Sequence, residues 1–523
     1  MVKKITNIAD YETLDAIQEA MGAMGPWHVI IAVALSLVNF PVAWNQLSIA
    51  FIAPPANFTC LSPVSVDNST TSRCEVSLGN GTIEKCHEFE YDRSIFTETI
   101  ITEWNLVCDR AQLANLAQSC TMFGILVGNM VFSAMADRIG RKIPLMIAVI
   151  IQSLTGLLST FVPWYELFLV LKFVSAVATG GTMLITFVLL MEIVGIEWRA
   201  TLSVLFHIPF LLGYLSNPLV SYLTRSWKSF QLAVSLPPIL LLSYYWIIPE
   251  SPRWLLAVGK VRKARSILTK AANRNEIPLE KVTLAVNCHE DHSKRRSERT
   301  HEKYNITHLF RTPNMRKKSI CIAINWFMLG TCYFGFSQYI SHLAGNIFIN
   351  VAISAFMQLP GTLVVLLLIS RVSRLKLLIG GNLLASCSLL LITLFDNSLA
   401  QISLSGLGLA GMSISFPTIY LYSGELFPTV VRNNGIGMCS VSARIGSMIA
   451  PFIATMGSLV VWLPPVLFGV GPLLGAALCF FLPETMNCEL PETIEDGENF
   501  RKFDSNKSKF TRPKMGGSTH PFD

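Results

Sequence analysis

DRIGR at residues 137–141 sits in a short polar gap between two long apolar runs, 111–136 and 143–163, and the same frame returns as SRVSR at 370–374. The separation is 233 residues, and a second pair of sites keeps it: Glu192 and Arg199 bracket six residues just as Glu425 and Arg432 do. One residue out of register, Pro249-Glu250-Ser251 meets Pro483-Glu484-Thr485. Any one match is weak. Three, each beside an apolar run, indicate two homologous halves that place related loops at one end of the molecule.

Working outward, apolar runs lie near 27–53, 111–136, 143–163, 166–191, 201–223 and 230–248, and again near 319–340, 347–369, 377–395, 399–423, 435–457 and 460–482. About 20 residues of helix cross a hydrocarbon layer of roughly 30 Å. Lipid offers the backbone no hydrogen bonds, so such runs read as helices. Charged residues are only 14% of the chain and the mean hydropathy is +0.48, against roughly a quarter charged in soluble domains. The expected fold is an all-α membrane protein with 12 spans in two six-helix halves.

The formal net charge of +7 suggests nucleic acid until its distribution is read. Of 41 Lys and Arg, 33 fall in segments that alternate onto one side, so the charge reports topology and both termini are expected in the cytoplasm. The expected organisation is a cytoplasmic N-terminus (1–26), a first half (27–248), a cytoplasmic linker (249–318), a second half (319–482) and a cytoplasmic tail (483–523). The first 25 residues carry Asp10, Glu12, Asp15 and Glu19, unlike a cleavable signal, so the first span is expected to act as its own.

Segment 54–110 then faces outside. It holds Cys60, Cys74, Cys86 and Cys108, and sequons at Asn57, Asn68 and Asn80, which predicts a glycosylated loop with two disulfides in one of three pairings. In the linker, the stretch from Arg253 to Arg274 alternates apolar and basic residues at helical spacing, suited to lying under the bundle or against anionic lipid. Histidines around 289–303 match no metal-ligand spacing and read as part of a solvated linker. The polar tail beyond about 490 reads as unstructured.

DRIGRK at 137–142 looks like the loop signature of the major facilitator superfamily. That resemblance implies that Asp137 caps a helix end in the opposite half while Arg138 and Arg141 hold the cytoplasmic gate, with Glu192–Arg199 and Glu425–Arg432 as further gating pairs. The family's leading glycine is Ser133 here and SRVSR lacks the acid, so an asymmetric gate is expected. EWNLVCDR at 103–110, PESPRWLL at 249–256, GELFPTVVRNNGIG at 424–437 and LPET at 482–485 make the match more specific. With a long cysteine-bearing first loop, over about residues 20–495, the chain resembles the organic cation/anion/carnitine transporter family.

An ionisable residue inside a span marks a functional site by default. Arg444 lies midway along the eleventh run among small residues; it cannot shed its proton, so it must face water, an acid or an anionic ligand. Lys172 is the second intramembrane cation, with a structural tether or snorkelling as its alternative role. The family resemblance implies an acid at the Arg444 position in cation carriers and arginine in anion and carnitine carriers. It also implies a common acid where this chain has Gln358, so both acidic anchors for a cation are missing. Trp326 and Tyr333, seven residues apart and on one helix face, match aromatic cavity positions of the family, as do His207 and Phe210. His207 also suits proton coupling, with helix packing as the plainer reading.

The resulting expectation is a plasma-membrane carrier of small organic anions or zwitterions, carnitine-like, working by alternating access. A quaternary ammonium in an aromatic cage keeps an organic cation carrier as the alternative. Another class of protein, a non-transporting receptor or assembly partner, would suit a degenerate gate. A sugar facilitator shares PESPRWL but lacks an evident Gln/Asn-rich site. No Walker loop or metal-ligand spacing is present, so no enzyme activity, cofactor or metal is expected. The expected partners are the substrate, a coupling ion or exchanged counter-substrate and membrane lipid.

Overall fold

The computed structural model describes residues 16–22, 24–62, 74–77, 83–287, 306–343, 345–395, 397–428, 430–458, 460–486, 488, 491 and 493–507. Among them, ten helices are long and apolar enough to cross a membrane and two apolar helices are shorter. In chain order, spans 1 to 6 are Pro26–Leu47, Cys108–Ile139, Lys142–Leu158, Tyr165–Ile193, Glu197–Thr224 and Trp227–Ile247. Spans 7 to 12 are Pro313–Tyr339, Ile347–Leu368, Arg374–Leu394, Ser398–Leu426, Arg432–Thr455 and Leu463–Cys479.

Packing repeats as the sequence does. Span 2 lies on span 4 and span 8 on span 10; span 3 lies on span 4 and span 9 on span 10; span 1 lies on span 5 and span 7 on span 11. The halves meet through spans 2 and 11 and through spans 5 and 8, two contacts that the pseudo-symmetry exchanges. Without a hydrophobic drive between helices in lipid, close approach of small residues carries the packing. Gly180 on span 4 shows it: a β-carbon there would lie 2.5 Å from the Ile125 carbonyl of span 2.

The loop after span 1 marks one end of the bundle, the disulfide end. Two of its strands, Phe58–Ser62 and Glu88–Tyr91, pair antiparallel, as do Glu75–Ser77 and Ile83–Lys85. Of the three pairings open to the four cysteines, the fold takes Cys60–Cys86 and Cys74–Cys108. Closing loops of 26 and 34 residues is worth about 3.5–4 kcal/mol each by chain entropy, which such short sheets need. Asn57 is exposed; Asn68 and Asn80 lie outside the described residues.

The opposite, basic end holds the DRIGR and SRVSR loops. The amphipathic helix Val261–Arg274 buries Ala264, Leu268, Ala271 and Ala272, and Asn275 at its end ties it to span 1. Its Oδ1 accepts from the Trp27 N–H at 3.1 Å, and its amide donates to the Met21 carbonyl at 2.8 Å.

Two expectations change here. The tail is not unstructured throughout: Ile494–Lys507 is a helix. It forms because span 7 begins at Pro313, before the expected 319, leaving its first turn in need of acceptors. The Glu498 carboxylate accepts from the Asn314 and Met315 N–H groups at 2.9 Å each, and Lys318 donates to the Gly497 carbonyl at 2.8 Å. Polarity alone concealed this docking.

Candidate functional site

Span 11 is fixed against span 7 by glycines: Gly330 faces the Ala443 backbone and Gly446 faces Phe327 and Thr331. Arg444 is buried at 7% exposure, and its Nη2 reaches the Met183 sulfur of span 4 at 3.9 Å. The guanidinium carbon stands 5.7 Å from the Phe334 ring centroid. Among the described residues no carboxylate comes within 4.0 Å of Arg444, and its Nη1 has no hydrogen-bond partner. A buried cation left this way is costly unless something else meets it.

Around it the second half builds an aromatic wall. Trp326 donates its indole N–H to Ser423 at 3.0 Å and packs edge-on to Tyr420 with centroids 4.3 Å apart. Phe416 joins Trp326 (6.4 Å) to Tyr333 (5.3 Å), so both lie on the face their spacing predicts. The Tyr333 hydroxyl donates to the Gln358 side-chain oxygen at 3.0 Å, and the Gln358 amide donates to the Ser354 carbonyl at 3.3 Å. From the first half, His207 approaches Tyr420 at 6.4 Å, with its Nδ1 held to the Ser203 carbonyl at 2.8 Å.

Arg444, Trp326, Tyr333, Gln358 and His207 therefore converge through two residues that sequence reading missed, Phe416 and Tyr420. Tyr214 on span 5 was missed too; its hydroxyl is buried with no hydrogen-bond partner among the described residues. Phe210 packs half-buried on the main core. Lys172 stands apart, donating to the Ser48 hydroxyl just past span 1 at 3.0 Å.

At the basic end the two repeats each form an arginine–carboxylate cluster. Arg141 holds Glu192 with two bonds, Nη2 at 2.8 Å and Nε at 3.1 Å. Glu250 accepts from the N–H groups of Arg141 at 2.7 Å and Lys142 at 3.2 Å, capping the start of span 3. In the second half Arg374 faces Glu425 at 3.4 Å, and Glu425 also accepts from the Thr485 hydroxyl at 2.6 Å. Glu484 caps span 9, accepting from the N–H groups of Arg374 and Leu375 and from the Ser373 hydroxyl.

Glu192 and Glu425 are held by Arg141 and Arg374, and Arg432 donates to the Phe427 carbonyl at 3.2 Å. Arg199 is half-buried and Arg138 exposed. Among the described residues Asp137 caps no helix of the other half; it is 70% exposed and meets Arg141 one turn along its own helix at 3.3 Å. The halves are instead pinned at the disulfide end. There Asn115 donates to Thr455 at 3.0 Å, Ser119 donates to the Met448 carbonyl at 2.6 Å, and Phe51 stacks on Phe348.

Twelve spans in two repeats, with an unneutralised cation and an aromatic wall at the seam, define a membrane transporter of the major facilitator type. The chain matches the family model "Sugar (and other) transporter" over residues 31–496, and it belongs to that family. It is 32% identical over 515 residues to the organic cation transporter protein of Drosophila melanogaster, covering 92% of this chain and 94% of that one. It is 32% identical over 522 residues to organic anion transporter 3 of Oryctolagus cuniculus, covering 93% and 94%. The inward open conformation of the xylose transporter XylE from E. coli shares its fold, with a TM-score of 0.64 at 15% identity, over 90% of this chain and 98% of that one.

Proposed function

We propose that this transporter carries small organic anions or zwitterions, with Arg444 pairing the substrate carboxylate and the Trp326–Tyr333 wall packing its apolar body. The observation that carries the reading is a buried Arg444 with no carboxylate near it among the described residues. A substrate carboxylate supplies the missing charge and forms a strong, two-point hydrogen-bonded pair. Gln358, held to Tyr333, adds no negative charge that would favour a cation.

In this reading the basic end and both termini face the cytoplasm, and the disulfide loop faces outside at the plasma membrane, glycosylated at Asn57, Asn68 and Asn80. The pinned disulfide end is then the outer gate. Asp137, Arg138, Arg141, Glu192, Arg199, Glu425 and Arg432 work the inner one as the halves rock. A solved fold relative is a proton:xylose symporter, and a coupling ion or an exchanged counter-substrate fits the same cycle here.

The test is uptake of labelled carboxylate, zwitterionic and cationic compounds into cells, with Arg444→Ala and Arg444→Lys at matched surface expression. The expected result is carboxylate uptake falling about a hundredfold or more in Arg444→Ala, the scale of a lost buried charge pair, with partial recovery in Arg444→Lys. Cation uptake indifferent to Arg444 would make the aromatic wall a cation cage. Binding without flux would move the chain to the receptor class.

A further inference from the structure

Between the basic end of the bundle and the amphipathic helix Val261–Arg274 runs a groove of about 530 Å³ that shares no lining residue with the central site. Its bundle wall is apolar and outward-facing: Ile139 and Ile143 at the ends of spans 2 and 3, and Trp246 and Ile247 at the end of span 6. Trp246 is 80% exposed. An uncovered tryptophan and Tyr245 at a span end are what the boundary between hydrocarbon and headgroups selects.

The groove's polar wall is cationic. Lys142, Lys260, Lys263 and Lys270 line it, and among the described residues none has a carboxylate within 4.0 Å. Two ammonium groups lie over rings in place of a counter-ion, Lys142 at 4.6 Å from Tyr245 and Lys260 at 4.8 Å from Trp254. The one carboxylate in the lining, Glu250, is already occupied by the backbone N–H groups of Arg141, Lys142 and Ser251.

We infer that this groove is a binding site for an anionic phospholipid, its headgroup against the four lysines and an acyl chain along Ile143, Trp246 and Ile247. Charge complementarity demands an anion, and a soluble phosphate would leave the apolar wall unused. The site holds whichever ion the transporter carries, since none of its residues belongs to the central site.

The full chain, exchanged into micelles holding equal dioleoyl-phosphatidylcholine and dioleoyl-phosphatidylserine, is assayed for retained lipid by native mass spectrometry. Phosphatidylserine should be retained about tenfold over phosphatidylcholine, as several interfacial lysines imply, and K263Q/K270Q should bring the two within about twofold. R262Q/R265Q removes the same charge from the same helix away from the groove lining and should leave the preference unchanged. Equal retention of both lipids by the wild type, or equal effects of the two double variants, overturns the site in favour of diffuse attraction. Displacement by millimolar glycerophosphoserine overturns it in favour of a soluble anion. All variants change exposed residues, and matched melting temperatures check their folding.

Discussion

In the first half the residue before the loop arginine is Gly140, at φ +102°, and a β-carbon there would run into the Glu250 carboxylate. In the second half the equivalent residue is Ser373, at φ −49°, and its hydroxyl donates to Glu484. One loop makes room for its capping carboxylate; the other adds a donor to it. The ion pairs differ in the opposite sense. Arg141 grips Glu192 through two short bonds, whereas Arg374 meets Glu425 through two longer contacts, 3.4 and 3.5 Å, and Glu425 also accepts from Thr485. Most of the proposed site lies in the second half, in Trp326, Tyr333, Gln358, Phe416, Tyr420 and Arg444, so the looser clamp sits under the half that carries most of it.

The largest way to break that comparison is to remove the arginines. Both are largely buried beside their partners, at 11% and 13% side-chain exposure, and each deletion strands a carboxylate. Arg141→Ala should cost about 3–5 kcal/mol and Arg374→Ala about half as much, read as melting temperature of the purified protein and as surface expression. Equal losses would mean that the distances do not report strength and that the halves are clamped alike.

A smaller pair of variants exchanges the loops. Gly140→Ser places a side chain at positive φ and against Glu250, for a loss of about 2 kcal/mol or more. Ser373→Gly removes one hydrogen bond to a charged group and frees the backbone, for about 1–2 kcal/mol. The signs should not mirror each other: neither loop accepts the other's residue. A neutral or stabilising Gly140→Ser would show that the Glu250 cap has slack.

Much of this was legible in the sequence for a physical reason. Lipid imposes helices and the hydrocarbon thickness imposes their length, so the spans follow from composition, the repeat follows from loop motifs held in register, and Arg444 stands out because a charge in such a run is expensive. The clamp partners were not legible. Glu192 lies 51 residues from Arg141, and Glu250 lies 109 residues from it; sequence offers only nearer charges such as Arg199. Phe416, Tyr420 and Tyr214 were invisible because an aromatic in an apolar span gives no sign of whether it faces lipid, core or seam. The tail helix was hidden because Glu498 and Lys318 hold it across the basic end, contacts that no sequence pattern announces.

The smallest effect is the sharpest on the second half, because it depends on pH. Burial pushes the Glu484 carboxyl up, but donation from Ser373 and from the N–H groups of Met486, Leu375 and Thr485 outweighs it and holds the group below the ordinary 4.5. A carboxyl depressed in the fold contributes stability that is complete above its unfolded value. That contribution is lost as pH falls through the folded one, so the window lies below about pH 5. Glu484 is partly open to solvent, and screening limits the contribution to about 1 kcal/mol. Melting temperature followed from pH 6 to pH 3 should therefore fall more steeply in the wild type than in Glu484→Gln, which starts lower and does not titrate. Ser373→Ala, with one donor fewer, should move the wild-type fall to higher pH. If the wild-type and Ser373→Ala curves run parallel, the Ser373 hydroxyl fills space beside a carboxylate that the backbone alone holds, and the two loops differ in shape but not in electrostatics.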